Sequence, residues 1–179
     1  MKEITWYGRG GQGAFTASRI LGAAAMLAGY KSLAFPSFGP ERRGAPIRAF
    51  TKISDEEITD RSIPQKSDYI IVLDESLYDD SLKENLNDGG CIFINSTSKK
   101  ESDKNVKIIS KDISAQASEI LGKPIVNIGI LGVLLQELKG IDEKYIYSAI
   151  EIYMPRKTVD KNIKLLKKII SENTQNDQT

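Results

Sequence analysis

The stretch that most limits what this chain can become lies near its start, Ile4-Thr5-Trp6-Tyr7-Gly8-Arg9-Gly10-Gly11-Gln12-Gly13. A short apolar strand runs into four glycines, and from Gln12 to Ala28 the residues are good helix formers, with Gly29 where a helix stops. Glycines let backbone turn tightly and approach a ligand, while the helix that follows directs unpaired N–H groups and a positive dipole end at an anion. The spacing Gly8-x-Gly10-x-x-Gly13, after a strand and before a helix, fits the dinucleotide fingerprint in its required context. Lys31 to Phe35 reads as a second strand, giving a βαβ unit and a sheet that is parallel at its start.

An ordinary dinucleotide site needs an acid near the end of that second strand to hold the ribose hydroxyls. Here the strand ends Ala34-Phe35-Pro36-Ser37-Phe38, and the nearest acid, Glu41, follows a Gly-Pro turn and precedes Arg42 and Arg43. That counts against NAD. The stretch Pro36 to Pro46 is too rich in Pro and Gly for helix or central strand, so it forms a stiff loop leaving the same sheet edge as the glycine loop. Arg42 and Arg43 can pair with Glu41 and other surface acids, or, as their setting between two Gly-Pro-type turns favours, turn their forks to a phosphate, a carboxylate or a partner.

Composition narrows the chemistry further. The 179 residues contain no His and one Cys, so no four-thiolate cluster, common zinc site, Ser-His-Asp triad or Cys-His pair can be built. No catalytic residue and no metal ligand is assigned. Lys and Arg number 25 against 24 Asp and Glu, a net charge of +1 that gives no general attraction to nucleic acid or to a membrane surface. No apolar run reaches the length of a membrane span and Met1-Lys2-Glu3 leads directly into a strand, so a cytoplasmic protein is expected.

The remaining elements follow from periodicity. Ile47 to Ile53 alternates as a strand, with Asp55-Glu56-Glu57 as a turn and Ile58 to Ile63 returning as a hairpin. Tyr69 to Leu73 and Cys91 to Asn95 are buried strands, joined through a helix over Leu77, Leu82 and Leu86 and a turn at Asn87 to Gly90. Asp74 is read as a cap, and Cys91 as a packed small hydrophobe with no His to activate it. Ser96 to Asn105 reads as a mobile polar loop before a strand at Val106 to Ile109. Helices are expected at Ile113 to Leu121, from Pro124 to Leu138, at Asp142 to Tyr153 and at Val159 to Ile170. Asn127, polar in an apolar run, is equally a satisfied buried amide or a ligand contact. The expectation is one Rossmann-like α/β domain over 1–170, a three-layer sandwich with a mostly parallel sheet, helices on both faces and a β-hairpin insertion, followed by a frayed tail over 171–179.

Four blocks together, Gly8-Arg9-Gly10-Gly11-Gln12-Gly13, Phe35 to Arg48, Val72-Leu73-Asp74 and Pro124-Ile125-Val126-Asn127, closely resemble the gamma subunit of the 2-oxoacid:ferredoxin oxidoreductases. The wording of the second block is closer to the pyruvate and branched-chain 2-oxoacid enzymes than to the 2-oxoglutarate ones. The resemblance implies a cytoplasmic hetero-oligomer with alpha, beta and delta partners that oxidatively decarboxylates a 2-oxoacid with coenzyme A and passes two electrons to ferredoxin. It places thiamine diphosphate and the iron–sulfur clusters on the partner subunits and gives this chain coenzyme A to hold. The residues singled out for that ligand are Gly8, Arg9, Gly10, Gly11, Gln12, Gly13, Ser37, Arg42, Arg43 and Asn127. The rival readings are a 2-oxoisovalerate-specific member of the family, a free-standing NAD-dependent reductase, and a scaffold whose glycine loop binds nothing.

Overall fold

The computed structural model describes residues 1–37 and 44–176. Its strands are β1 (Lys2–Arg9), β2 (Lys31–Pro36), β3 (Pro46–Ser54), β4 (Ser67–Val72), β5 (Leu86–Asn95) and β6 (Lys107–Lys111). Its α-helices are α1 (Ala14–Leu27), α2 (Ser114–Leu121), α3 (Gly129–Leu134), α4 (Glu143–Tyr153) and α5 (Arg156–Asn176), with two short 3-10 helices at Glu75–Leu77 and Asp80–Asn85. The strands form one sheet in the order β2-β3-β1-β4-β5-β6. Only β3 runs against its neighbours; β1, β4, β5 and β6 pair in parallel.

The sheet is covered on both faces by helices of different kinds. On one face Ala14, Ala17, Ile20, Leu21 and Ala24 of α1 bury against Ile4, Trp6, Ala49 and Ile53, and α5 adds Leu165, Leu166 and Ile169. The small side chains of α1 let it lie close to the strands. On the other face Leu82 of the second 3-10 helix packs with Ile70, Val72, Ile92 and Ile94. Each fully buried Ile or Leu stabilises the fold by about 1.5–3 kcal/mol, so the apolar runs of β4 and β5 fix the middle of the sheet.

The order of strands departs from the expected βαβ neighbourhood. β1 and β2 point the same way, but β3 lies between them, pairing Trp6 with Ala49 on one side and Phe35 with Phe50 on the other. The expected hairpin return over Ile58 to Ile63 forms no strand. β3 finds its partners in β1 and β2 instead, and the segment after it is tied down by an ion pair from the fully buried Lys52 Nζ to Asp60 Oδ2 at 2.8 Å.

Three further elements differ from expectation. The helix over Leu77, Leu82 and Leu86 is broken into 3-10 turns, because Asp74 and Asp79 each accept the N–H two residues on and Leu86 already belongs to β5. Helix α3 starts at Gly129, not Pro124, and the small Gly132 lets it touch Leu166 and Ile169 of α5. Helix α5 continues through the first part of the segment expected to fray, to Asn176. Asn173 there is buried, donates to the Gly132 carbonyl at 3.2 Å and accepts from Lys111 Nζ at 2.7 Å.

Candidate ligand cleft at the carboxyl edge of the sheet

Because β1, β4, β5 and β6 are parallel, their carboxyl ends share one edge, which is where open α/β sheets receive ligands. A cleft of about 440 Å³ opens there, lined by Gly11 and Gln12 after β1, Asp74 after β4, Thr97 after β5, Asp112 after β6, and Ile125 ahead of α3. Gly13 sits at the N-cap of α1 with φ 81°, no side chain caps that helix, and no acid lies in its first turn. The first amides of α1 and its positive dipole end therefore face a place where an anion can accept from them.

The glycines of the loop have separate tasks. Gly11, with φ 95°, has open space where a side chain would stand, so its backbone conformation is what excludes other residues. Gly13 is limited twice, by φ and by the Asn127 amide, whose nitrogen occupies the place of an added Cβ. At Gly8 the limit is approach, since a Cβ would stand 3.2 Å from Ala14 and 3.3 Å from Leu73.

One carboxylate organises the loop. Asp74 Oδ2 accepts from Arg9 Nε at 3.2 Å and from Gln12 Nε2 at 3.0 Å, while Oδ1 accepts from Ser76 N at 3.0 Å and Ser76 Oγ at 2.6 Å. The Ser76 hydroxyl, then Gln12, the Ser76 amide and the Arg9 charge hold its carboxyl below the usual range, against a cost of burial. Gln12 Oε1 accepts the Arg9 N–H at 2.7 Å, closing the turn on itself. The other cleft acids are also engaged: Lys100 and Ser96 lower Glu75, and Asp112 accepts from the first amides of α2.

The expected site residues thus divide. The loop from Gly8 to Gly13 is assembled at the cleft, and Asp74 is a cap as read, though it also anchors Arg9 and Gln12. Arg9 spends its fork on Asp74, the Gly44 carbonyl and Ser76, so it shapes the loop rather than offering a free charge. Asn127 is buried and donates to the Gly13 carbonyl at 3.2 Å, which makes it a satisfied amide behind the loop. Ser37 does not line the cleft: β3 stands between β2 and β1, and the Ser37 N–H donates to the Arg48 carbonyl at 2.8 Å. Arg42 and Arg43 lie outside the described residues. The chain returns beside the glycines, with Gly10 N donating to Ala45 O at 2.9 Å and Gly44 N to Gly10 O at 3.1 Å.

The other end of the cleft was not singled out in sequence. Asn95 joins three segments, donating to the Leu73 carbonyl and Ser114 Oγ and accepting from the Ile113 N–H. Ser96 and Thr97, read as the start of a loose loop, stand beside it. The available signal was their position, immediately after an apolar parallel strand.

Among the described residues β2 ends without an acid for an NAD ribose, and the strand beside β1 on that side is the antiparallel β3, whose first residue, Pro46, faces Arg9. Cys91 is packed in the core, and burial pushes its thiol up to about 12. Among the described residues no group of three His, Cys, Asp or Glu could hold a metal ion, and no helix is long and apolar enough to cross a membrane.

Fold and cleft define a Rossmann-like α/β fold with a glycine loop at a parallel sheet edge. The chain belongs to the pyruvate ferredoxin/flavodoxin oxidoreductase family, whose model matches residues 3–172. It is 42% identical over 163 residues to the pyruvate synthase subunit PorC of Methanothermobacter marburgensis, covering 90% of this chain and 92% of that one. With the pyruvate/ketoisovalerate oxidoreductases common subunit gamma of Thermococcus litoralis the identity is 44% over 141 residues, covering 75% and 76%. The crystal structure of the pyruvate oxidoreductase subunit PORC of Thermotoga maritima superposes with a TM-score of 0.81 at 32% identity, covering 96% of this chain and 97% of that one.

Proposed function

We propose that this chain is the gamma subunit of a pyruvate:ferredoxin oxidoreductase, a pyruvate synthase, and that its cleft holds coenzyme A for the assembled enzyme. In that assembly a 2-oxoacid is decarboxylated, the acyl group passes to the thiol of coenzyme A, and two electrons leave to ferredoxin. Thiamine diphosphate and the iron–sulfur clusters belong to the alpha, beta and delta subunits. The observation that carries the coenzyme A reading is the uncapped start of α1 behind the Gly10 to Gly13 turn, an anion-binding end at one wall of a cleft of about 440 Å³. This chain's share is to bind and orient: the loop amides take phosphate, Asp74 and Asn127 hold the loop in shape, and Ile125 and Val126 offer an apolar wall.

The relative from Thermococcus litoralis is named as common to pyruvate and ketoisovalerate oxidoreductases. A gamma subunit of this kind therefore suits either 2-oxoacid, with the choice made by a pocket on the other chains. Calorimetric titration of the isolated chain and of the assembled complex with coenzyme A and with NAD tests the reading. Coenzyme A should bind the complex and NAD neither form. NAD binding to the isolated chain, with coenzyme A bound by neither, would make it a reductase domain; silence from both ligands in both forms would make it a scaffold.

A further inference from the structure

Among the described residues the sheet closes one of its edges and leaves the other open. Beyond β6 the chain covers its own edge: the Ser102 hydroxyl accepts from the Ile108 N–H at 2.9 Å and donates to the Ile108 carbonyl at 3.3 Å, and the Lys100 N–H reaches Ser110 Oγ at 3.1 Å. β2, at the far end of the strand order, has a strand beside it on one side only among the described residues.

Which of its groups face outward follows from the ladder. Ser37 N donates to Arg48 O in the same register that pairs Phe35 with Phe50 and Leu33 with Lys52. In an antiparallel pair alternate residues exchange both hydrogen bonds with the residue opposite. Lys31, Leu33 and Phe35 therefore turn their backbone groups inward. Ser32, Ala34 and Pro36 turn theirs outward, two N–H and three C=O groups with no strand beside them among the described residues.

A groove of about 460 Å³ runs against this edge, with walls from both faces of the sheet. Met26 comes from the last turn of α1 and Tyr30 from just after it, Ile58 and Arg61 from the segment that Asp60 ties to Lys52, and Leu33 from β2 itself. Met26 is 62% exposed. Arg61 has no carboxylate partner among the described residues, and the Lys31–Glu57 pair is exposed at both ends and so only weakly neutralising.

We propose that the β2 edge takes up an extended, acid-bearing segment of another subunit of the complex, which adds a seventh strand to the sheet. Strand addition gives affinity through the main chain and specificity through alternate side chains. Here an apolar side chain on the α1 face would meet Met26, and on the opposite face a carboxylate would meet Arg61 beside Leu33. Lys31 and Pro36 at the two ends keep the pairing short and discourage indiscriminate edge-to-edge association. A second copy of this chain is the poorer occupant, because it would bring the same cationic groove against itself. The proposal does not depend on what fills the cleft at the carboxyl edge.

Hydrogen exchange with residue-level readout, on the isolated chain and on the assembled complex, tests it. The Ser32 and Ala34 amides should exchange freely in the isolated chain and slow at least tenfold in the complex, while Leu33 and Phe35 stay protected in both. Equal exchange of Ser32 and Ala34 in the two states overturns the proposal, as does protection in the isolated chain that rises with its concentration. Ala34→Pro supplies a second arm, since it removes only an outward N–H and an edge strand tolerates proline there. It should keep the thermal unfolding midpoint of the isolated chain while weakening incorporation into the complex at least tenfold; undiminished incorporation counts against the site. Should this variant fail to fold, the exchange comparison decides alone.

Discussion

Asn127 and Gly13, 114 positions apart, meet behind the uncapped start of α1: the Asn127 amide donates to the Gly13 carbonyl at 3.2 Å and fills the space a Gly13 side chain would need. This hydrogen bond fixes the wall ahead of α3 to the loop after β1. Gly13→Ala meets two penalties, roughly 1–2 kcal/mol for a left-handed non-glycine residue and about 1–3 kcal/mol for overpacking. Gly11→Ala meets only the first. Urea denaturation at unchanged m should place Gly13→Ala about 1–3 kcal/mol below Gly11→Ala. Equal losses would show that Asn127 yields without cost. Asn127→Ala should lose about 0.5–1.5 kcal/mol, a milder change because Gly13 O keeps its bond from Ala17 N.

Asp74 gives the site a pH signature. Its carboxyl sits below its ordinary value of 3.8, chiefly through the Ser76 hydroxyl, with Gln12 and Arg9 adding to it. A group whose folded pKa is depressed contributes stability above its unfolded pKa and loses it as pH falls through the folded value. Asp74→Asn turns an N–H₂ toward Arg9 or Gln12 where an oxygen accepted, so the variant should be less stable at pH 7 by about 1–3 kcal/mol. The gap to the native chain should hold down to about pH 4 and narrow below it. A gap that widens toward acid would contradict this account of the loop.

Much of this architecture could be read from residue patterns, and the exceptions share a cause. β1, β4, the Cys91 to Asn95 half of β5 and the first helix were legible because local periodicity and burial agree there, whereas Leu86 to Gly90, read as helix and turn, already belong to β5. The position of β3 was not, since alternation over Ile47 to Ile53 says that a strand forms but not which strands it pairs with, and Lys52 reads as a solvated residue until Asp60 and Glu3 are found on it. The 3-10 turns escaped because leucines at near-helical spacing look like a helix, whereas side-chain caps at Asp74 and Asp79 decide the backbone. In the cleft, glycines announce themselves by type. Asn95, Thr97 and Asp112 are ordinary polar residues whose importance comes only from being brought to one edge by parallel strands.

Cys91 tests whether this chain could carry an acyl group itself. With its thiol pushed up to about 12 by burial, only about one molecule in ten thousand would be thiolate at pH 8, against roughly a quarter for a free cysteine near 8.5. Labelling of the native chain by an aromatic disulfide at pH 8 should be at least about a thousandfold slower than labelling of the unfolded chain. Rapid native labelling would reopen a covalent role. Cys91→Ala should leave turnover of the reconstituted complex unchanged while lowering stability by about 1 kcal/mol.

The arginines separate ligand binding from loop architecture. Arg9 is committed to Asp74, so Arg9→Ala should act first on stability, shifting the denaturation midpoint. Arg42 and Arg43 sit in sequence between two Gly-Pro or Ala-Pro turns in the segment whose far end, Gly44 and Ala45, is hydrogen-bonded to Gly10. Charge supplied there would add to the field at the start of α1, and each tenfold change in affinity for a phosphate ligand corresponds to about 1.4 kcal/mol. Arg42→Ala and Arg43→Ala should therefore raise the coenzyme A concentration needed for half-saturation of the complex by about tenfold each. The release of CO₂ from pyruvate in a single turnover should stay intact, because only the later acyl transfer needs the thiol. If both variants keep the native coenzyme A dependence but assemble poorly, these arginines belong to a subunit interface. Loss of the decarboxylation step itself would overturn the division of labour proposed for this chain.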